Sequence, residues 1–235
     1  MASAGQEKGI SRRSLLIGGG AGVGLLLAWR LWPRSYAPNL RAAPGEVLFN
    51  AYLKIGTDGR VVVAVPQAEL GQGVWTSLPQ ILADELGADW RTVAVEPAPL
   101  SPLYANQLLA EQAANDSELP GFLRGVGRWS AQDFATREAL MITGGSTSVR
   151  AFEAPLREAG SGARALLSMA AARRWNVDWE SLDTHDGFVW RGGDRLAFAE
   201  LAEEAAGLAL PAAHQLVAAT ATHSGLRNTE SVPGT

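Results

Sequence analysis

Residues 61–76 read Val61-Val62-Val63-Ala64-Val65-Pro66-Gln67-Ala68-Glu69-Leu70-Gly71-Gln72-Gly73-Val74-Trp75-Thr76, and their reading decides the fold. The β-branched run Val61 to Val65 predicts a strand. Leu78, Ile81, Leu82 and Leu86 then fall at helical spacing and stop at Gly87, a natural C-cap. The segment between them joins the end of a strand to a helix beginning near Thr76. Gly71 and Gly73 let the backbone approach a ligand closely or take positive φ. Free N–H groups and the positive dipole end of the helix point back at this loop. Gln72 offers a donor and an acceptor, which suits a polar ring or a phosphate edge. A tight strand-to-helix turn with a surface Gln fits the local chemistry equally well.

Outward from this stretch, Val47 to Ile55 predicts a first strand, and Thr57-Asp58-Gly59 turns it into Val61 to Val65 as a hairpin. Thr92 to Val95 predicts a third strand. The order strand, strand, helix, strand implies an α+β fold, a mixed sheet with helices packed on it. Residues 97–140 carry no clean period and predict a long excursion with one or two helical turns, a binding loop or a segment ordered by a partner. From Thr147 a helical pattern takes over, which Gly160 and Gly162 are expected to break, the second helix running from Ala163 to Trp175. Two short strands follow, Leu182 to Thr184 and Phe188 to Trp190, turning at Asp186-Gly187, and then a helix from Phe198 to Leu208.

A second loop with chemistry is Thr143-Gly144-Gly145-Ser146-Thr147-Ser148-Val149-Arg150. A plain N-cap needs one hydroxyl. Hydroxyls in a row beside two glycines favour an anion nest at a helix start. Arg150 is expected to pair with Glu153 or with a ligand's negative charge.

Composition removes several function classes. The net charge is −4 and no Lys/Arg run appears in the body, so a nucleic-acid binder is excluded on electrostatic grounds. There are 0 cysteines, which excludes disulfides, thiolate nucleophiles and iron–sulfur ligation on this polypeptide. Any electron relay must therefore sit on another chain. His185, His214 and His223 form no metal spacing, and no metal ligand or catalytic residue is assigned. Asp84 and Glu85 are neighbours on a helix, face different ways, and read as solvated or structural. Glu69 stands at the first loop as a candidate supporting partner. The tryptophans read as core or partner-interface residues.

Lys8, Arg12 and Arg13 precede an apolar run from Leu15 to Trp29. Ser11-Arg12-Arg13-Ser14-Leu15-Leu16 resembles a bacterial twin-arginine signal, used to export proteins already folded around a cofactor. An ordinary secretory signal or a simple anchor are the alternatives. The run is short of the roughly 20 residues that span a bilayer, although Leu31 and Trp32 with a snorkelling Arg30 extend it. The expectation is a periplasmic, membrane-anchored protein with these parts: signal or anchor helix 1–32, linker 33–46, domain 47–211, and a linker-like tail 212–235.

Taken as a set, Glu69-Leu70-Gly71-Gln72-Gly73, Thr76, Gln80, Ala83-Asp84-Glu85-Leu86-Gly87, and Thr143-Gly144-Gly145-Ser146-Thr147-Ser148 resemble the molybdopterin-contacting segments of the xanthine dehydrogenase/aldehyde oxidase superfamily. The twin-arginine start and Ala163-Arg164-Ala165-Leu166-Leu167 with Ala170-Ala171-Ala172 and Trp175 are similar to its isoquinoline 1-oxidoreductase large (β) subunit branch and the aldehyde dehydrogenase relatives of that branch. The resemblance runs from about residue 11 to about residue 211. It implies cofactor contacts at Gly71, Gln72, Gly73, Gly145, Ser146, Thr147 and Ser148. It also implies a molybdopterin cytosine dinucleotide, a 2Fe-2S small subunit, a cytochrome c subunit and the remaining molybdopterin-binding portion as partners.

Two departures qualify what the resemblance implies. The family's large subunit is far longer, and its late Gly-Val-Gly-Glu-type segment, whose Glu acts as base, has no counterpart in this sequence. The expectation is a cofactor-clamping part of an exported molybdenum hydroxylase that is inactive alone. Its rivals are a membrane-tethered, non-catalytic scaffold and an unrelated exported anion-binding domain.

Overall fold

In the computed structural model, residues 35–116 and 119–211 are described. The sequence-predicted signal or anchor helix and the tail 212–235 lie outside them. Among the described residues, no helix is long and apolar enough to cross a membrane.

The main sheet has the order β1 (Glu46–Leu48), β2 (Leu53–Gly56), β3 (Val61–Val65), β4 (Val93–Pro97). The first three strands are antiparallel neighbours, and β4 lies parallel to β3 with Val63 opposite Val95. The sheet is therefore mixed, as the element order predicts. A parallel neighbour needs a crossover, and the crossover is the first loop together with helix α1 (Val74–Leu86). The single strand expected over Val47 to Ile55 is in fact β1 and β2. Asn50 turns the chain between them, its side-chain carbonyl accepting from the Tyr52 amide at 2.9 Å.

Strand alternation sorts the two faces of the sheet. Leu53, Ile55, Val61, Val63 and Val65 join the core with Leu78, Leu82 and Leu86 of α1. Lys54, on the opposite face of β2, is almost fully covered and bridges Glu46 at 2.7 Å and Glu96 at 2.9 Å. Its ammonium also donates to the Arg41 carbonyl. Segment 38–43 lies over this face, with Leu40 buried.

Residues 97–140 are more ordered than their sequence predicts. They hold α2 (Gln107–Asn115) and α3 (Arg124–Arg137), which pack on each other. Only Ala135 of these two helices is buried, while Val126 and Phe134 are exposed. Two helices that bury little print no apolar stripe, which is why the period was missing.

The expected break at Gly160 and Gly162 does not occur. Helix α4 runs unbroken from Ser148–Trp175 and ends at Asn176, at φ 52°. A Cβ on Gly160 would stand 2.7 Å from the Leu82 carbonyl oxygen and 3.0 Å from Glu85 Cβ. The glycine serves close packing of α4 on α1, not a helix end. A smaller antiparallel sheet follows: β5 (Asp183–His185), β6 (Phe188–Arg191) and β7 (Asp194–Ala197). The turn at Asp186-Gly187 is where the sequence predicts it, with both residues at positive φ. Strand β7 extends the expected pair to a triplet. Helix α5 (Phe198–Ala206) then packs on α4 and against β1 and β2.

Candidate functional site

The first loop leaves β3 and enters α1 through Gly73, which occupies the N-cap position at φ 79°. Gly71 is at φ 93°, and a Cβ on either glycine would meet no atom within 4 Å. The glycines are needed here for backbone shape, and the loop surface is open.

The loop is organised by Glu69. Its exposed carboxylate accepts hydrogen bonds from the Gly71 amide at 2.7 Å and from the Gly73 and Trp75 amides at 3.0 Å each. Hydrogen bonds from the Trp75 and Gly73 amides, then from those of Gly71 and Gln72, hold this carboxyl below the usual glutamate range. The positive end of α1 thus already carries an anion. Gln72 folds over the same loop, its Nε2 donating to the Ala68 carbonyl at 2.8 Å and its Oε1 accepting from the Leu70 amide. Each amide atom of Gln72 is used once, which leaves a second N–H and a second lone pair unspent on an exposed side chain. The indole Nε1 of Trp75 donates to the Gln67 carbonyl at 2.8 Å and pins the far side of the loop.

The second loop lies directly against the first. The Ala68 amide donates to Thr143 Oγ1 at 2.8 Å, and Ser148 Oγ donates to the buried Gln67 Oε1 at 2.9 Å. Both expected loops are therefore brought together, and so are the first turns of α1 and α4. Gly145 and Ser146 form an exposed turn with both residues at positive φ. The Ser146 hydroxyl has no partner among the described residues. Thr147 differs. It is fully buried, donates to the Gly144 carbonyl at 2.7 Å and accepts from Asn106 Nδ2 at 2.7 Å. It occupies the N-cap position of α4, yet its hydroxyl makes no capping bond there, against the expectation of a side-chain cap.

Of the seven expected contact residues, Gly71, Gln72, Gly73, Gly145 and Ser146 are exposed, Ser148 is half-buried and its hydroxyl donates inward, and Thr147 faces the interior. Arg150 is exposed on the first turn of α4. Glu153, its expected partner, pairs with Arg157 instead at 3.2 Å.

Three supporting residues are not among the expected contacts. Gln67 and Thr143 tie the loops together, and Asn106 is a hub. Its Nδ2 reaches the Ile142 carbonyl and Thr147 Oγ1, and its Oδ1 caps α2 by accepting from the Leu109 amide. An Asn ahead of a helix is an N-cap signal, but without a visible period over 107–115 there was no helix for it to cap.

The loops are held from behind by the α1–α4 contact. Glu85 on α1 is buried and pairs with Arg157 at 3.2 Å and Arg164 at 3.8 Å, both on α4. Burial lowers the Arg164 guanidinium from its usual value, with the Glu85 charge opposing that shift. The expectation of a structural Glu85 agrees with this placement, although the residue is enclosed and not solvated. His185 stacks on Trp190 with ring centroids 4.6 Å apart, and no group of three or more possible metal ligands occurs among the described residues. His214 and His223 lie outside the described residues.

The model of a molybdopterin cofactor-binding domain matches residues 18–101, which takes in the first loop and the main sheet. The chain is 32% identical over 183 residues to the isoquinoline 1-oxidoreductase subunit beta of Brevundimonas diminuta, covering 77% of this chain and 20% of that protein. It is 26% identical over 199 residues to a membrane-bound aldehyde dehydrogenase [pyrroloquinoline-quinone] of Gluconacetobacter polyoxogenes, covering 83% of this chain and 21% of that protein. Over 55 residues it is 42% identical to an indole-3-acetaldehyde oxidase of Arabidopsis thaliana, covering 23% of this chain and 4% of that protein. The chain spans about a fifth of the length of the first two relatives. With its paired glycine loops and mixed sheet, the chain belongs to the xanthine dehydrogenase/aldehyde oxidase superfamily and carries a molybdopterin cofactor-binding region.

Proposed function

We propose that this chain is the cofactor-clamping part of an exported molybdenum hydroxylase, one that oxidises an aldehyde or an N-heterocycle with oxygen taken from water. The observation that carries this reading is the direct bonding of the two loops, Ala68 to Thr143 and Gln67 to Ser148. They form one open surface with Gln72 on one side and Gly145 and Ser146 on the other. A ligand with several polar edges fits such a surface, and the unspent donor and acceptor of Gln72 and the free hydroxyl of Ser146 suit a molybdopterin cytosine dinucleotide. When bound, that cofactor supplies the two-electron chemistry. The chain's residues bind and orient it. Gly71 and Gly73 shape the first loop, Gly145 and Ser146 face the ligand, and Thr147 and Ser148 support the second loop from within. The absence of cysteine from this chain supports placing the iron–sulfur clusters elsewhere in the complex, on a 2Fe-2S small subunit with a cytochrome c subunit taking the electrons onward. The rest of the molybdopterin-binding portion completes the active site, so the isolated chain is inactive. The Arg12-Arg13 pair supports export by the twin-arginine route to a membrane-anchored, periplasmic position.

Elemental and nucleotide analysis of the native complex tests this. About one molybdenum and one pterin nucleotide per complex is expected, and their absence overturns the reading.

A non-catalytic scaffold is the second reading, favoured by the inward-facing Thr147 and by the Glu69 carboxylate already seated on the α1 amides. Replacing Gln72 and Ser146 by Phe separates the two. Loading that survives both changes supports the scaffold.

A further inference from the structure

The loop of Glu69 to Trp75 has the outline of a phosphate cradle, with glycines at positive φ and a helix start behind them. In the folded chain the cradle is already full. The amides of Gly71, Gly73 and Trp75 all point at one Glu69 carboxylate, at 2.7, 3.0 and 3.0 Å. A phosphate oxygen placed on those amides would have to displace three charge-assisted hydrogen bonds. It would also meet a like charge a few ångströms away. The geometry is fixed from outside as well. Trp75 Nε1 holds the Gln67 carbonyl, Gln72 Nε2 holds the Ala68 carbonyl, and the Ala68 amide is bonded to Thr143 Oγ1.

We infer that Glu69 is the specificity-determining residue of the first loop: its carboxylate is an internal anion that closes the amide crown to phosphates and restricts the loop to uncharged polar edges of a ligand. The charged part of any ligand is then left to the other side of the surface, where Arg150 is exposed on α4. The assignment of an uncharged edge to this loop rests on the cofactor reading above. The exclusion of phosphate does not.

The test uses the full chain, isotopically labelled, with inorganic pyrophosphate as the probe and the amide resonances of Gly71, Gly73 and Trp75 as the readout. In the wild type, millimolar pyrophosphate is expected to leave these resonances in place. In Glu69→Ala the emptied crown is expected to show saturable shifts at the same amides. Saturable shifts in the wild type, or none in a folded Glu69→Ala, overturn the proposal.

Glu69→Gln keeps the side-chain length and guards against a variant that fails to fold. Loss of the charge is expected to speed hydrogen exchange at the Gly71, Gly73 and Trp75 amides by about tenfold. Unchanged exchange overturns the role of the carboxylate. The two readings can fail separately. A molybdenum-free native complex with an unresponsive wild-type crown removes the cofactor reading and keeps the exclusion. A loaded complex whose crown binds pyrophosphate does the reverse.

Discussion

Ser148 Oγ donates to the buried Gln67 Oε1 at 2.9 Å across 81 positions of sequence. This bond joins the first turn of α4 to the end of β3, and with Ala68–Thr143 it turns two separate loops into one surface. Ser148→Ala leaves Gln67 Oε1 without that partner in a buried position. It is expected to cost about 1 kcal/mol, and a double-mutant cycle with Gln67→Ala to give a coupling of about 0.5–1.5 kcal/mol. Chemical denaturation of the four proteins measures it, and zero coupling would show that the loops are held apart from this bond.

Gly160 tests the α1–α4 contact. In an open helix, Ala in place of Gly stabilises by about 1 kcal/mol. Here the new Cβ would press on the Leu82 carbonyl, a backbone atom at 2.7 Å that cannot swing aside. Gly160→Ala is therefore expected to destabilise by about 1–3 kcal/mol. A stabilised variant in urea denaturation would mean the helices yield at this point.

Glu85 is enclosed against Arg157 and Arg164. Removing one member of a buried ion set leaves the others desolvated, so Glu85→Ala is expected to cost about 3–5 kcal/mol. Arg157 is more exposed, and Arg157→Ala should cost clearly less. Equal losses in thermal denaturation would contradict an enclosed Glu85.

Thr147 and Ser146 are adjacent, one buried and bonded on both sides, the other exposed. Thr147→Val keeps the shape but removes the acceptor of Asn106 and the donor to Gly144, for an expected loss of about 1–3 kcal/mol. Ser146→Ala should stay within about 0.5 kcal/mol of wild type. If Ser146 meets the cofactor as proposed, only that variant lowers molybdenum loading without lowering the melting temperature.

The Glu69 carboxyl lies below the usual glutamate range in the folded chain. A lowered folded value stabilises the loop above the unfolded value, and that stabilisation is lost as pH falls through the folded one. Amide protection at Gly71, Gly73 and Trp75 should thus be complete near neutral pH and collapse at a pH below the ordinary glutamate range. Hydrogen exchange followed by NMR down to about pH 3, corrected for intrinsic rates, reads this directly. Flat protection to the acid end would remove Glu69 as the holder of the loop.

The residue pattern by itself determined the strands around Thr57-Asp58-Gly59, the helix from Leu78 to Gly87, the Asp186-Gly187 turn and the position of both glycine loops. All of these are local. They follow from side-chain period, turn chemistry and caps, whose partners lie within a few residues. Tertiary structure alone decided the rest. Gly160 looked like a helix end because a sequence does not show the neighbouring Leu82 carbonyl that requires it. Helices α2 and α3 stayed hidden because they bury so little apolar surface. Thr147 and Ser146 carry the same chemistry in sequence, and only the approach of Asn106, 41 positions away, sends one inward. Glu69 could be read as a supporting partner from its place beside Gly71. That its carboxylate fills the amide crown depends on backbone angles that no spacing encodes.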